Sequence, residues 1–129
     1  MPACRLVVRF LSDEWLAAAA ELTAAGAGNS VVCVVEQVVH NGDHQVRYQV
    51  HVSEGAARVD PRTAAAADVE IVEDYDVAVA ISRGELDPGT ALARGSITVR
   101  GDAGRLAAAA DSLARMSDVL APLRDRTEY

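Results

Sequence analysis

The segment VVCVVEQVVHNGDHQVRYQVHV, residues 31–52, restricts the fold of this chain more than any other part of it. Two runs rich in valine, 31–40 and 45–52, flank the tight-turn sequence Asn41-Gly42-Asp43, which makes a β-hairpin. In the second run Val46, Tyr48, Val50 and Val52 alternate with Gln45, Arg47, Gln49 and His51. Successive side chains of a strand point to opposite faces, so the hairpin has one apolar face. A two-residue loop at Asn41-Gly42 or at Gly42-Asp43 pairs odd positions of the first run with even positions of the second. Val31, Cys33, Val35 and Val39 join the apolar face in either register. The opposite face mixes Val32, Val34 and Val38 with Glu36, Arg47, Gln49 and His51. It is expected to be half-wet, or partly covered by a second copy of the chain.

An apolar sheet face must be covered, and the remaining sequence supplies helices for it. Ser12-Asp13-Glu14 places a capping hydroxyl and two acids at a helix start. Trp15, Leu16, Ala19, Leu22 and Thr23 then recur at helical spacing, and Gly26 and Gly28 end the run. Residues 5–11 either extend or lengthen this helix. A short third strand is predicted around Ala57 and Val59, ended by Pro61, and a fourth over 69–72, where Val69 and Ile71 share a face. Asp74 caps a helix over 75–83, Gly84 stops it, and Asp87-Pro88 opens a further turn that Gly95 ends. Ile97 and Val99 form a fifth strand. Gly101-Asp102 precedes a helix with Leu106, Ala109, Ala110 and Leu113 on one side. A last amphipathic segment, 117–126, contains Pro122, which either starts or kinks it. Strands in one run and helices in another mean an α+β fold, with a mostly antiparallel sheet and helices on one face. The 129 residues are read as one domain, 1–129.

Half of the residues are hydrophobic but only 4% are aromatic, so the apolar mass is Ala, Val and Leu. Twelve basic against nineteen acidic residues give a net charge of −7. That sign disfavours nucleic acid as a partner, because the surface repels a phosphate backbone. No apolar run approaches the roughly twenty residues that span a bilayer, so stable membrane insertion is not expected. Cys4 and Cys33 read as reduced thiols, and with no secretory leader in the sequence the expected location is the cytoplasm.

The stretch ADVEIVEDYDVAVAISRGELDPGTALARGSITVRGD, residues 67–102, resembles the sterol carrier protein type 2 family, the nonspecific lipid-transfer domain, in its stand-alone bacterial, actinobacterial-type branch. The similarity lies in ADVEIVEDY, AVAISRGEL, the Ala91-Leu92 turn to Gly95, and ITVRGD. It continues more weakly through the Trp15-Leu16 helix, strand 46–52 and the tail 119–123. The resemblance implies a twisted five-stranded sheet with helices over one face and a hydrophobic cavity between them. That cavity would take a lipid, fatty acid, acyl thioester or sterol-like molecule. Two departures stand out: Ala91, Leu92 and Ala93 replace bulky aromatics before the last strand, and the chain does not end in a peroxisomal signal.

Val77, Ile81, Leu86, Leu92, Leu106, Val119, Leu120 and Leu123 are the expected ligand-contacting residues, against the alternative that they are simply core. His40, His44 and His51 lie on or beside the hairpin without a third close ligand, so they read as ordinary exposed histidines and no metal or cofactor is expected. The acidic group Glu70, Glu73, Asp74 and Asp76 reads first as helix capping. The first functional reading is a carrier of a hydrophobic small molecule without intrinsic catalysis. The alternative is a small isomerase or cyclase in which Glu73, Asp74 or Tyr48 transfers protons to an apolar substrate. A third reading is a homodimer contact through Val32, Val34 and Val38.

Overall fold

The structure, a computed structural model, describes residues 7–24 and 31–129. In chain order the elements are β1 (Val8–Arg9), α1 (Asp13–Thr23), β2 (Val31–Asn41), β3 (His44–Ser53), β4 (Ala56–Asp60), β5 (Val69–Asp74), α2 (Tyr75–Ser82), α3 (Pro88–Ala93), β6 (Ile97–Gly101), α4 (Ala103–Ala108), α5 (Ala110–Val119), α6 (Ala121–Arg124) and β7 (Thr127–Glu128). Strands β4-β3-β2-β5-β6 form the main sheet, as the α+β reading requires. Its neighbours are antiparallel except β2 and β5, which run parallel.

The hairpin closes with Asn41 opposite His44, so Gly42-Asp43 is the loop. Gly42 takes a φ of 61° at the first loop position, where a type II′ turn places glycine. The resulting register stacks residues in rows across one face. Val59, Val50, Val35, Val69 and Gly101 make one row, and Tyr48, Gln37, Ile71 and Val99 the next. Val46, Val39, Glu73 and Ile97 make a third. One expectation fails: the register shifts between Val31 and Cys33, so Val31 pairs with Ser53 and is exposed. A bulge inserts one unpaired residue and turns the strand beyond it, which takes Val31 off the apolar face.

Because β4 lies at one edge and β5 beyond β2, residues 61–68 must pass over the face of β3 and β2 that is away from the helices. Gln49 Nε2 donates to Ala65 O (2.8 Å), and Val34 N donates to Asp68 Oδ2 (2.8 Å). Part of this outer face is wet as expected, with Val32 and Arg47 exposed, and the rest is covered from within the same chain. Gln49 is 0% exposed, and Val34 and Val38 are buried. Two of the three residues assigned to a contact between copies are therefore covered within one chain, and only Val32, at 53%, is free of cover. His51 is buried too, contrary to its reading as an ordinary exposed histidine. Arg58 Nη2 donates to His51 Nδ1 (3.1 Å), and His51 Nε2 donates to Gln49 Oε1 (3.1 Å). A guanidinium cannot accept, so the ring is neutral; desolvation and then the Arg58 charge lower its pKa.

The helices lie on the inner face. Ser12 caps α1 through Trp15 N (3.1 Å), and α1 buries Trp15, Leu16, Ala19 and Thr23. Thr23 Oγ1 accepts from Val59 N (2.8 Å) and pins the end of α1 to β4. The helix ends at Thr23; Gly26, Gly28 and Cys4 lie outside the described residues. Val8 and Arg9 are extended and pair in parallel with Thr127 and Glu128. Pro122 starts α6 rather than kinking a longer helix, and the helix expected after Asp102 breaks at Ala109 into α4 and α5.

Gly101 has a φ of 103°, and a Cβ there would stand 2.5 Å from Asp68 O, where the crossover enters β5. Gly84 has a φ of 75° but open space around it. Gly101→Ala is expected to cost about 3 kcal/mol and Gly84→Ala about 1 kcal/mol in urea unfolding, because only the first adds a backbone clash to the left-handed strain. Equal losses would contradict the close approach.

Candidate functional site

The inner face divides into two apolar clusters. In the first, Phe10, Trp15, Leu16 and Ala19 pack with Val39, Val59, Ala78, Leu120 and Leu123. Phe10 meets Trp15 edge-on at 5.1 Å and lies 5.8 and 5.0 Å from the rings of Tyr75 and Tyr129. Trp15 Nε1 donates to Thr127 Oγ1 (3.1 Å), which ties the chain's end over α1. The second cluster is built on Val35, Val50, Val52, Val69, Ile71 and Ile97 of the sheet, with Ala91 and Ala109 packed on them.

Partly buried apolar side chains ring the second cluster, as others do the first. Tyr48, Val77, Ile81, Leu86, Val99, Leu106, Leu113 and Met116 pack against it, yet each keeps partial access to solvent. The cause is visible in the covering helices. None of the residues of α4 is buried, and α5 buries only Ser112. Helix α5 is held to the β3–β4 turn by two bonds, Ser112 Oγ to Ser53 O (3.1 Å) and Arg115 Nη1 to Gly55 O (3.3 Å). Beside that attachment lies an apolar pocket of about 110 Å³, lined by Leu22, Thr23, Gly55, Ala56, Ala57, Arg115, Met116 and Val119. Met116, which lines this pocket, packs on both clusters.

The expected ligand residues separate in space. Val77, Ile81, Leu86 and Leu106 face the second cluster. Val119, 46% exposed, lines the pocket. Leu120 and Leu123 belong to the first cluster, with Leu123 at 0% exposure, and Leu92 is 49% exposed. Leu113 and Met116 were absent from that set because they lie on helix faces whose sequence alone does not distinguish cavity from core.

Two of the three residues of the acid–base alternative also face inward. Glu73 stands in the row of Val46, Val39 and Ile97, and Tyr48 in the row of Gln37 and Ile71. Desolvation pushes the Glu73 carboxyl up to about 7. Burial, and then the Glu73 charge, push the Tyr48 hydroxyl well above the usual tyrosine range. Asp74 is exposed at the head of α2 and makes no side-chain cap bond, so it lies apart from them. Gln37 is the member that sequence reading missed. A polar residue at an odd position between Val35 and Val39 was the available signal. No group of three His, Cys, Asp or Glu side chains able to hold a metal ion occurs among the described residues, and none of their helices is long and apolar enough to cross a membrane.

Residues 13–114 match the model of the SCP-2 sterol transfer family. No curated protein matches the chain in sequence. Among solved structures, a candidate sterol carrier protein from Thermus thermophilus is 19% identical, with a TM-score of 0.64 over 93% of this chain and 91% of the other. A crystal structure of sterol carrier protein 2 is 19% identical, with a TM-score of 0.63 over 85% and 95%. The second sterol carrier protein domain of Helicoverpa armigera is 19% identical, with a TM-score of 0.60 over 84% and 90%. At these identities the three establish a shared fold.

A carboxyl with a higher pKa folded than unfolded binds protons more tightly in the folded state. Its contribution to stability is full below about 4.5 and is lost as pH rises through about 7. Glu73→Gln keeps the neutral form at every pH. Relative to wild type it is expected to gain about 1–3 kcal/mol at pH 8.5 and little at pH 5, the full shift being reduced because Glu73 is partly exposed. Urea unfolding of both proteins at the two pH values measures this. An equal difference at both would contradict a desolvated carboxyl.

Proposed function

The chain belongs to the SCP-2 sterol transfer family, and on that premise we propose that it binds and carries a hydrophobic small molecule between the inner face of its sheet and helices α2, α4 and α5. The observations that support this reading most are the apolar pocket beside α5 and the cover of the inner face by two helices, α4 and α5, that bury only Ser112. Val77, Ile81, Leu86 and Leu106 would form the wall, and Met116 and Val119 the mouth. Each buried methylene contributes about 0.8 kcal/mol. A chain of about ten carbons reaches micromolar affinity after association costs. Little polar recognition is required for that, so selectivity by chain type is broad.

The pocket is small for such a guest. A dry cavity of about 150 Å³ takes one benzene, and this one measures about 110 Å³. Entry therefore requires α4 and α5 to move off the sheet. Elements that bury few side chains open at low free energy, and these two bury only Ser112 between them. The carrier acts in the cytoplasm, where Cys33 remains a buried thiol.

A second reading rests on Glu73 alone: a carboxyl with a pKa near 7 on an apolar face suits proton transfer to a bound substrate in isomerisation or cyclisation, with Tyr48 beside it. Glu73→Gln separates the two readings, since it abolishes turnover in an enzyme and leaves a carrier's uptake of an uncharged pyrene-labelled ester intact.

Met116→Trp fills the pocket mouth. It is expected to weaken binding of a pyrene-labelled acyl ester by about tenfold, without lowering the urea midpoint, because side-chain volume replaces a void. Fluorescence titration measures the first effect. Unchanged affinity, or wild-type protein that carries no extractable lipid and takes up no probe, would contradict the carrier.

A further inference from the structure

The inner face carries polar groups that its own packing leaves unused. Gln37 is directly opposite Tyr48 on β3 and Ile71 on β5, with Val35 and Val39 on either side of it along β2. Its Oε1 is buried and accepts no hydrogen bond among the described residues. Glu73 stands on the same face two residues beyond Ile71, and no described cation pairs with it. The Glu73 charge is close enough to raise the pKa of the Tyr48 hydroxyl, which places the two groups in one electrostatic neighbourhood. A buried acceptor without a donor is unfavourable, and a sheet with this face filled by valine would not contain one.

We propose that Gln37, Tyr48 and Glu73 form a hydroxyl anchor that selects neutral, hydroxyl-bearing apolar molecules over carboxylates and over molecules without a donor. This rests on the carrier reading above and names the ligand class of the same site. The chemistry follows from what each group lacks. An amide oxygen only accepts, so the guest must bring a donor. The Tyr48 phenol donates, so the guest must also offer a lone pair. A hydroxyl is the smallest group that does both. An ether or ester brings no donor and leaves Gln37 Oε1 unpaired. A carboxylate brings only acceptors, and a second negative charge beside Glu73.

The test compares 1-dodecanol with 1-methoxydodecane and with dodecanoate at pH 8, and cholesterol with its methyl ether, by displacement of the pyrene-labelled ester from the full chain. In at least one alcohol–ether pair the alcohol is expected to bind about fivefold or more tightly than its ether, the span expected for supplying one buried acceptor with a donor. The pair that shows it identifies the skeleton that fits. Gln37→Leu and Gln37→Met, both checked by thermal melting, are expected to bring that ratio to about one. Dodecanoate is expected to bind more weakly than the ether in wild type, and Glu73→Gln to remove that gap. Equal binding of alcohol and ether in both pairs, as when a retained water satisfies Gln37, would overturn the anchor while leaving the carrier standing. A ratio that survives in both Gln37 variants would overturn the assignment to Gln37. Failure of every compound, ethers included, would instead overturn the carrier reading itself.

Discussion

The parallel pairing of β2 with β5 is the constraint from which the rest of the molecule follows. A strand cannot join its parallel neighbour by a tight turn, and here the chain reaches β5 from β4, with β3 and β2 lying between them. Residues 61–68 therefore cross one face of the sheet, and that face becomes unavailable to helices. Its polar side chains are consumed in place: Arg47 pairs with Glu36 (2.8 Å), Gln49 holds Ala65, and Asp60 gathers Arg58 and Arg62. Desolvation would raise the Asp60 pKa, and the backbone and guanidinium of Arg62 outweigh it and bring it below the usual carboxylate range. The described helices are left to cover the other face.

That remaining face is wide, and the residues available to cover it are small. The chain has five aromatic residues, one Phe, one Trp and three Tyr. Phe10, Trp15, Tyr75 and Tyr129 gather at one end around α1. Over the other end lie α4 and α5, in which alanine is frequent and Ser112 is the only buried side chain. The asymmetry is a matter of volume. Stacked rings fill the space under α1, whereas α4 and α5 cover the sheet with alanines and with the partly buried Leu106, Leu113 and Met116. Elements that bury few side chains open at low free energy, and α4 and α5 are such elements.

The strands and most helix boundaries were legible because they depend on parity and caps. The alternation in 45–52 gave the inner face, and Asp87-Pro88 gave α3, whose Thr90 N binds Asp87 Oδ2. What escaped depends on distant parts of the chain. The crossover buries Val34, Val38 and His51, and no local pattern in the hairpin announces it. The bulge before Cys33 leaves Val31 in an unbroken valine run yet takes it off the face. Strands β1 and β7 are two residues each, too short for a pattern. Among the expected ligand residues, spacing selected apolar helix faces but could not separate Leu123, fully buried in the first cluster, from Ile81, partly buried beside the second. Gln37 was legible by parity alone, as a polar residue on an apolar face.

The claim on which the account turns is that the space between the sheet and α4–α5 admits an alkyl chain. Intermolecular NOE measurements between a uniformly labelled protein and bound 1-dodecanol address it directly. Contacts from the chain's methylenes to the methyl groups of Ile71, Val99, Leu113 and Met116 are the result expected. Contacts confined to surface residues such as Val32 and Leu92, with the inner-face methyls silent, would contradict it.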